Sequence, residues 1–205
     1  MTISAIARRT VLSGVFALGM LFAADARPAS SSGDDMVLGH PTAPVTVIEY
    51  ASVGCPHCAV WANAVFPAFR ARYIDTGRVR FVFREMLTGQ PTLAAAGFLT
   101  ARCAGPAKYF EVVEQIFRSQ EEMLREGDAY GPLLRIAGAA GVTKDRFDAC
   151  MKDKAALVAL QARSDRNSRA NSIAGTPTFV VNGQRLVGEQ SLEELAAAIA
   201  TAGRH

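Results

Sequence analysis

The sequence predicts an α/β domain in which a central mixed sheet is flanked by helices and interrupted by an inserted helical block. Three observations predict it. Two β-rich apolar runs, 45–51 and 79–83, are separated by one amphipathic helical stretch, which makes a βαβ unit with parallel strands and a right-handed crossover. From about residue 90 to 153 the chain turns rich in alanine and leucine at helical spacing, with no strand pattern. Near the end, 178–181 and 185–187 flank Asn182-Gly183, a two-residue turn in which both positions tolerate positive φ, so an antiparallel hairpin follows. At 205 residues, with 50% hydrophobic and 20% charged content, the chain suits one globular domain carrying an insertion.

The N-terminus reads as a targeting segment. Arg8-Arg9 precedes an apolar stretch at 11–24, and Ala24-Asp25-Ala26 has the small-x-small cleavage pattern, so residues 1–26 are expected to be a signal peptide removed on export. Arg-Arg-Thr-Val-Leu also fits a twin-arginine signal, apart from Val11 where an aromatic residue is usual. The alternative is a retained anchor, but the stretch is shorter than the roughly 20 residues that span a bilayer. Residues 27–35, with Pro28, three serines and Gly33, read as a flexible tether without chemistry, and 36–205 as the domain. The formal charge of +3 falls to about +2 when the signal's two arginines and one aspartate are removed. No basic patch interleaved with aromatics is present, which argues against nucleic acid as a partner.

Within the domain, a short strand at 36–39 ends at Pro41 and Pro44. The strand at 45–51 then runs into Cys55-Pro56-His57-Cys58. Pro56 suits the first helical position, where no backbone donor is lost, and this puts Cys55 at a helix N-terminus. Free amides and the helix dipole favour a thiolate there. Cys58, Trp61, Ala62, Val65, Phe69 and Tyr73 form the helix's buried face, with a kink expected at Pro67 and a stop at Gly77. Arg84 and Glu85 close the next strand and are expected to pair with Glu49 or with each other, or to remain a solvated pair. The insertion at about 90–153 divides into helices over 93–104, 109–124, 132–140 and 143–151, the last capped by Thr143. A long helix over 154–172 leads to Thr176-Pro177 and the hairpin. A capping box of Ser191 and Glu194 opens the final helix, whose buried stripe is Leu192, Leu195, Ala196 and Ile199.

Four cysteines allow three pairings. Cys55 and Cys58 are too close in sequence for an ordinary staple and read as a reactive dithiol, in which Cys55 exchanges and Cys58 resolves the mixed disulfide. The competing reading, half of a zinc site, lacks a second Cys-x-x-Cys or a His pair, so no metal is expected. Cys103 and Cys150 are then the natural structural disulfide, closing about 46 residues and worth about 2–4 kcal/mol, or else two buried free thiols. His57, when charged, stabilises the neighbouring thiolate; otherwise it is an exposed turn residue. Glu49, on an apolar strand, is either a proton relay for Cys58 or a carboxylate whose head reaches solvent. Pro177 is expected to be cis, a trans proline at a strand edge being the alternative. No cofactor is required, because the Cys55-Cys58 disulfide itself carries the electrons.

Cys55-Pro56-His57-Cys58, Gly175-Thr176-Pro177-Thr178-Phe179, and Glu49 six residues before Cys55 occur in the order strand, dithiol helix, strand, helical insertion, long helix, Thr-Pro, hairpin, final helix. Over about residues 36–203 this resembles the DsbA-like branch of the thioredoxin superfamily. The resemblance implies a thioredoxin fold with an inserted helical subdomain, and a periplasmic thiol:disulfide oxidoreductase that forms disulfides in cysteine-containing secreted proteins. It implies that Thr176 and Pro177 face the dithiol helix, with the Thr176 backbone taking a substrate strand. A DsbB-like membrane quinone reductase, or an equivalent, would reoxidise the enzyme, which is expected to be a monomer. Thr176 stands where DsbA has valine and matches thioredoxins, isomerases and other DsbA-like branches, so a periplasmic isomerase or reductase is the alternative. Against an isomerase, 27–35 is too short for a dimerisation domain. A non-catalytic binding module or metal chaperone is the third reading, opposed by the intact dithiol motif.

Overall fold

The computed structural model describes residues 1–2, 34–170 and 172–204, so the expected signal peptide from residue 3 on and most of the tether lie outside the described residues. Strands β1 (Met36–Leu38), β2 (Val45–Ala51), β3 (Val79–Glu85), β4 (Thr178–Val181) and β5 (Gln184–Val187) form one sheet in the order β1-β3-β2-β4-β5. β2 and β3 run parallel with Glu49 opposite Phe83, and the other neighbours are antiparallel. A parallel pair needs a crossover, supplied by α1 (Pro56–Ala64), α2 (Phe66–Phe69) and a π-helical turn at Arg70–Ile74. The expected kink at Pro67 is a break at Val65, which lets Pro67 sit in the first turn of α2, where its missing N–H costs no bond.

Strand alternation sorts the side chains onto two faces. Val47, Ala51, Phe81, Phe83, Phe179 and Val181 join Trp61, Phe69 and Phe98 in the main core, while Ile48, Tyr50, Val82 and Val180 form a smaller cluster with Met86 and Ile173. The insertion is helical throughout its named elements: α3 (Pro91–Cys103), α4 (Tyr109–Glu126), α5 (Tyr130–Ala139) and α6 (Lys144–Met151). α4 packs on α1 and α3, which seats the insertion against the dithiol helix, and α7 (Lys154–Ala170) returns to β3. The Thr143 hydroxyl accepts from the Arg146 N–H at the start of α6. Asn182 and Gly183 turn the hairpin at φ +42° and +96°, and the reciprocal Ser191–Glu194 box opens α8 (Leu192–Ala202). No helix among the described residues is long and apolar enough to cross a membrane.

Two expectations need correction. Asp34 and Asp35, read as the end of a tether, are docked. The Asp35 carboxylate, 5% exposed, pairs with Arg84 at 3.1 Å, and Asp34 pairs with Arg166 at 3.0 Å. Arg84 is buried beneath the sheet and also donates to the Tyr50 hydroxyl at 2.7 Å; a buried guanidinium requires such partners, and Asp35 supplies the charge. Arg84 and Glu85 do not pair with each other, because adjacent strand residues point to opposite faces. Glu85 instead accepts from Arg102 at 2.7 and 2.9 Å, Arg163 at 2.9 Å and the Tyr109 hydroxyl at 2.9 Å. These bonds fasten α3, α4 and α7 to the end of β3, and none of them involves Glu49.

Candidate active site

β2 ends at Ala51 and α1 begins at Pro56, so the intervening turn carries Cys55 to the N-cap of α1, with extended φ −103° and ψ 119°. No side-chain oxygen caps this helix, which leaves its amides and the positive end of its dipole to act on the Cys55 sulfur. The Cys55 thiol is lowered to about 5. A hydrogen bond from Cys58 is the largest cause, burial opposes it, and bonds from the Thr176 side chain and the Cys58 and His57 backbones add to it. Cys58 lies one turn further into the core, fully buried. Burial first, then its bond to Cys55 and the negative charge of Glu49, push its thiol far above the ordinary range. The pair, reduced in this structure, therefore combines an acidic outer sulfur with a proton-holding inner one.

The remaining sequence-derived candidates converge on this pair, with one exception. Thr176–Pro177 is a cis peptide, and the Thr176 carbonyl oxygen lies 3.3 Å from the Cys55 sulfur. Glu49 is 2% exposed, so its head does not reach solvent. Among the described residues its Oε1 has no hydrogen-bond partner, and Glu49 borders a small cavity walled by Trp61, Phe66, Phe81, Phe83 and Phe110. Burial raises its carboxyl well above the usual range. His57 is 74% exposed and its Nδ1 lies 2.6 Å from Glu189 Oε1; this contact, and then the charges of Glu189 and Cys55, raise the imidazole above its ordinary value. Cys103 and Cys150 are the exception. They are bonded to each other at 2.06 Å and join the ends of α3 and α6, outside the dithiol turn. No group of three or more metal-ligating side chains occurs among the described residues.

Four residues that sequence reasoning passed over complete the site. Gln120 Nε2 donates to the Val53 carbonyl at 2.7 Å and the Cys55 carbonyl at 3.1 Å, tying the dithiol turn to α4. It carried a readable signal, a glutamine on the otherwise apolar stripe Val113, Ile116, Phe117 and Met123. Ser52, Thr88 and Glu189 had none. The Ser52 N–H approaches the Cys58 sulfur at 3.5 Å, the Thr88 hydroxyl bonds the Thr176 hydroxyl at 2.7 Å, and Glu189 reaches His57 across 132 residues of sequence.

Chemically, an acidic sulfur beside a protonated one, under a cis-proline loop whose Thr176 carbonyl lies 3.3 Å away, is an arrangement for thiol–disulfide exchange. A thioredoxin family model matches residues 31–201. A Rickettsia bellii protein, provisionally named a protein-disulfide oxidoreductase, is 33% identical over 167 residues, which cover 81% of this chain and 63% of that relative. The chain thus spans less than two thirds of that relative's length. Disulfide bond formation protein D of Bacillus subtilis is 30% identical over 166 residues, covering 80% of this chain and 74% of its own. The fold of Wolbachia pipientis alpha-DsbA1 matches with a TM-score of 0.77 at 24% identity, over 87% of this chain and 96% of that one.

Proposed function

The chain belongs to the thioredoxin family, and from that premise we propose that it is a thiol:disulfide oxidoreductase that forms disulfides in secreted cysteine-containing proteins through Cys55 and Cys58. The observation that carries the reading is the divergence of two adjacent thiols, Cys55 lowered to about 5 and Cys58 raised. Starting from the oxidised enzyme, a substrate thiolate attacks the Cys55 sulfur. The Cys55–Cys58 bond breaks, and Cys58 leaves with the electron pair and takes a proton relayed by the Glu49 carboxyl, whose burial raises its affinity for a proton. The substrate's second thiolate then attacks its own sulfur in the mixed disulfide, and Cys55 departs as a thiolate. Two substrate thiols end as one disulfide, and the enzyme disulfide ends as a thiolate and a thiol.

Direction follows from the leaving group. A stable Cys55 thiolate stabilises the reduced enzyme and makes its disulfide oxidising. His57 and the helix N-terminus act in that sense, while the Thr176 backbone offers a strand-pairing edge to a substrate. Thr176 itself favours the second reading, an isomerase or reductase. Equilibration with glutathione decides between them: a potential near the thioredoxin value of about −270 mV would overturn the oxidase. A Cys55→Ser protein that still oxidises a reduced dithiol peptide would overturn the exchange reading altogether. Reoxidation is assigned to a DsbB-like quinone reductase, and the working form to a periplasmic monomer released by cleavage after Ala26. N-terminal sequencing of the exported protein tests that cleavage and should begin at Arg27.

A further inference from the structure

The loop after β3 is bound to three neighbours within four residues. The Leu87 N–H donates to Ser164 Oγ on α7 at 3.0 Å, the Ser52 hydroxyl donates to the Thr88 carbonyl at 2.9 Å, and the Gln90 N–H donates to the Gly54 carbonyl at 2.9 Å. Gly89, at φ +71°, presses so closely on the dithiol turn that a Cβ there would lie 2.2 Å from the Gly54 oxygen. The Thr88 backbone is thereby fixed relative to Cys55. Its half-buried hydroxyl has one partner among the described residues, Thr176 Oγ1 at 2.7 Å.

The direction of that bond has a consequence for the sulfur. Each hydroxyl has one proton to give. The Thr176 hydroxyl has two acceptors, Thr88 Oγ1 at 2.7 Å and the Cys55 sulfur, whose thiolate the Thr176 side chain stabilises, whereas Thr88 has only Thr176 among the described residues. A thiolate is the stronger acceptor, so the pairing that serves it best has Thr88 donating to Thr176 and Thr176 to Cys55. We propose that Thr88 is a positioning residue of the dithiol site: it donates its proton to Thr176 Oγ1, holds that side chain in one rotamer, and leaves the Thr176 proton aimed at Cys55. The thiol form of Cys55 donates to the Thr176 carbonyl, 3.3 Å away. The thiolate form accepts from the Thr176 hydroxyl, a bond that the donation from Thr88 polarises and strengthens. One loop residue thus reaches the reacting sulfur through a neighbour, without touching it.

The inference rests on the exchange reading only in naming Cys55 as the reacting sulfur, and its test does not depend on exchange. The Cys55 thiolate is titrated by its ultraviolet absorbance in the reduced exported protein. Thr88→Val should lower the acid dissociation constant about threefold, a change of about half a pH unit in the midpoint. Thr88→Ser, which keeps the hydroxyl, should titrate like the parent. In a Thr176→Val background, Thr88→Val should change nothing further. A midpoint that is unchanged or lowered in Thr88→Val would overturn the proposal, since the second result means Thr176 had been donating to Thr88. Thr88→Ser shifting as far as Thr88→Val, or the two substitutions adding in full, would overturn it too. Absent exchange with an intact titration pattern would sink the functional reading and leave this one standing.

Discussion

Cys55 and Cys58 stand three residues apart on the first turn of α1 as free thiols, whereas Cys103 and Cys150 stand 47 apart in sequence and share a bond between α3 and α6. The residue type is the same; the surroundings differ. At the first pair, uncapped helix amides, the Thr176 side chain and a second thiol act on Cys55, while burial and the Glu49 charge act on Cys58. The second pair joins two helices of the insertion, and its contribution is restriction of the unfolded chain. The comparison teaches that sulfur chemistry in this fold is decided by what donates to each sulfur and what surrounds it, with spacing in sequence only setting the stage.

The strongest way to break that comparison is to exchange the roles. Cys55→Ser should reduce dithiol oxidation to background in a peptide assay, while Cys103→Ala with Cys150→Ala should retain it. The same double replacement should lower stability by about 2–4 kcal/mol in urea unfolding. It should leave the Cys55 titration where it was; a displaced midpoint would mean that the pairs are coupled.

Proton linkage sharpens the contrast next. Cys55 in the folded, reduced protein is lowered from an ordinary value of 9.0 to about 5. A group depressed in this way contributes stability that is fully present above its unfolded value and is lost as pH falls through its folded value. The reduced protein should therefore gain on the oxidised one as pH rises from about 5 to 9, and paired unfolding curves of the two forms check it. A gap independent of pH in that window would mean that Cys55 is not acidic. The second pair, being bonded, contributes nothing to this window. The smallest expected effect belongs to His57. Its charge and that of the thiolate stabilise each other, so His57→Ser should raise the Cys55 midpoint by about one pH unit or less. Glu189→Gln should lower the imidazole midpoint, read from its ring-proton resonances.

Much of this scaffold was written locally in the chain. Asn182-Gly183, Ser191 with Glu194, Thr143 and Pro56 each specify a turn or cap through their own backbone or side-chain chemistry, and the structure contains each of them. The dithiol turn was legible for the same reason, since Cys-x-x-Cys and its proline act within one helical turn. The polar bonds that join distant elements were not. Asp35 with Arg84, Glu85 with Arg102 and Arg163, and Thr88 with Thr176 connect positions 17 to 88 residues apart. No periodicity records such a contact, because it depends on how strands and loops are placed in three dimensions. Arg84 and Glu85 illustrate the limit: adjacent in sequence and opposite in charge, they face opposite sides of the sheet and find separate partners.

The Cys103–Cys150 bond also closes residues 103–150 into a covalent ring, and the exposed end of α4 with the turn after it, residues 124–128, lies on that ring. A protease that severs the chain there leaves one molecule of unchanged mass apart from the water added. Its two pieces should migrate together on a denaturing gel until a reductant is present, so intactness on a non-reducing gel is no guarantee of an uncut chain.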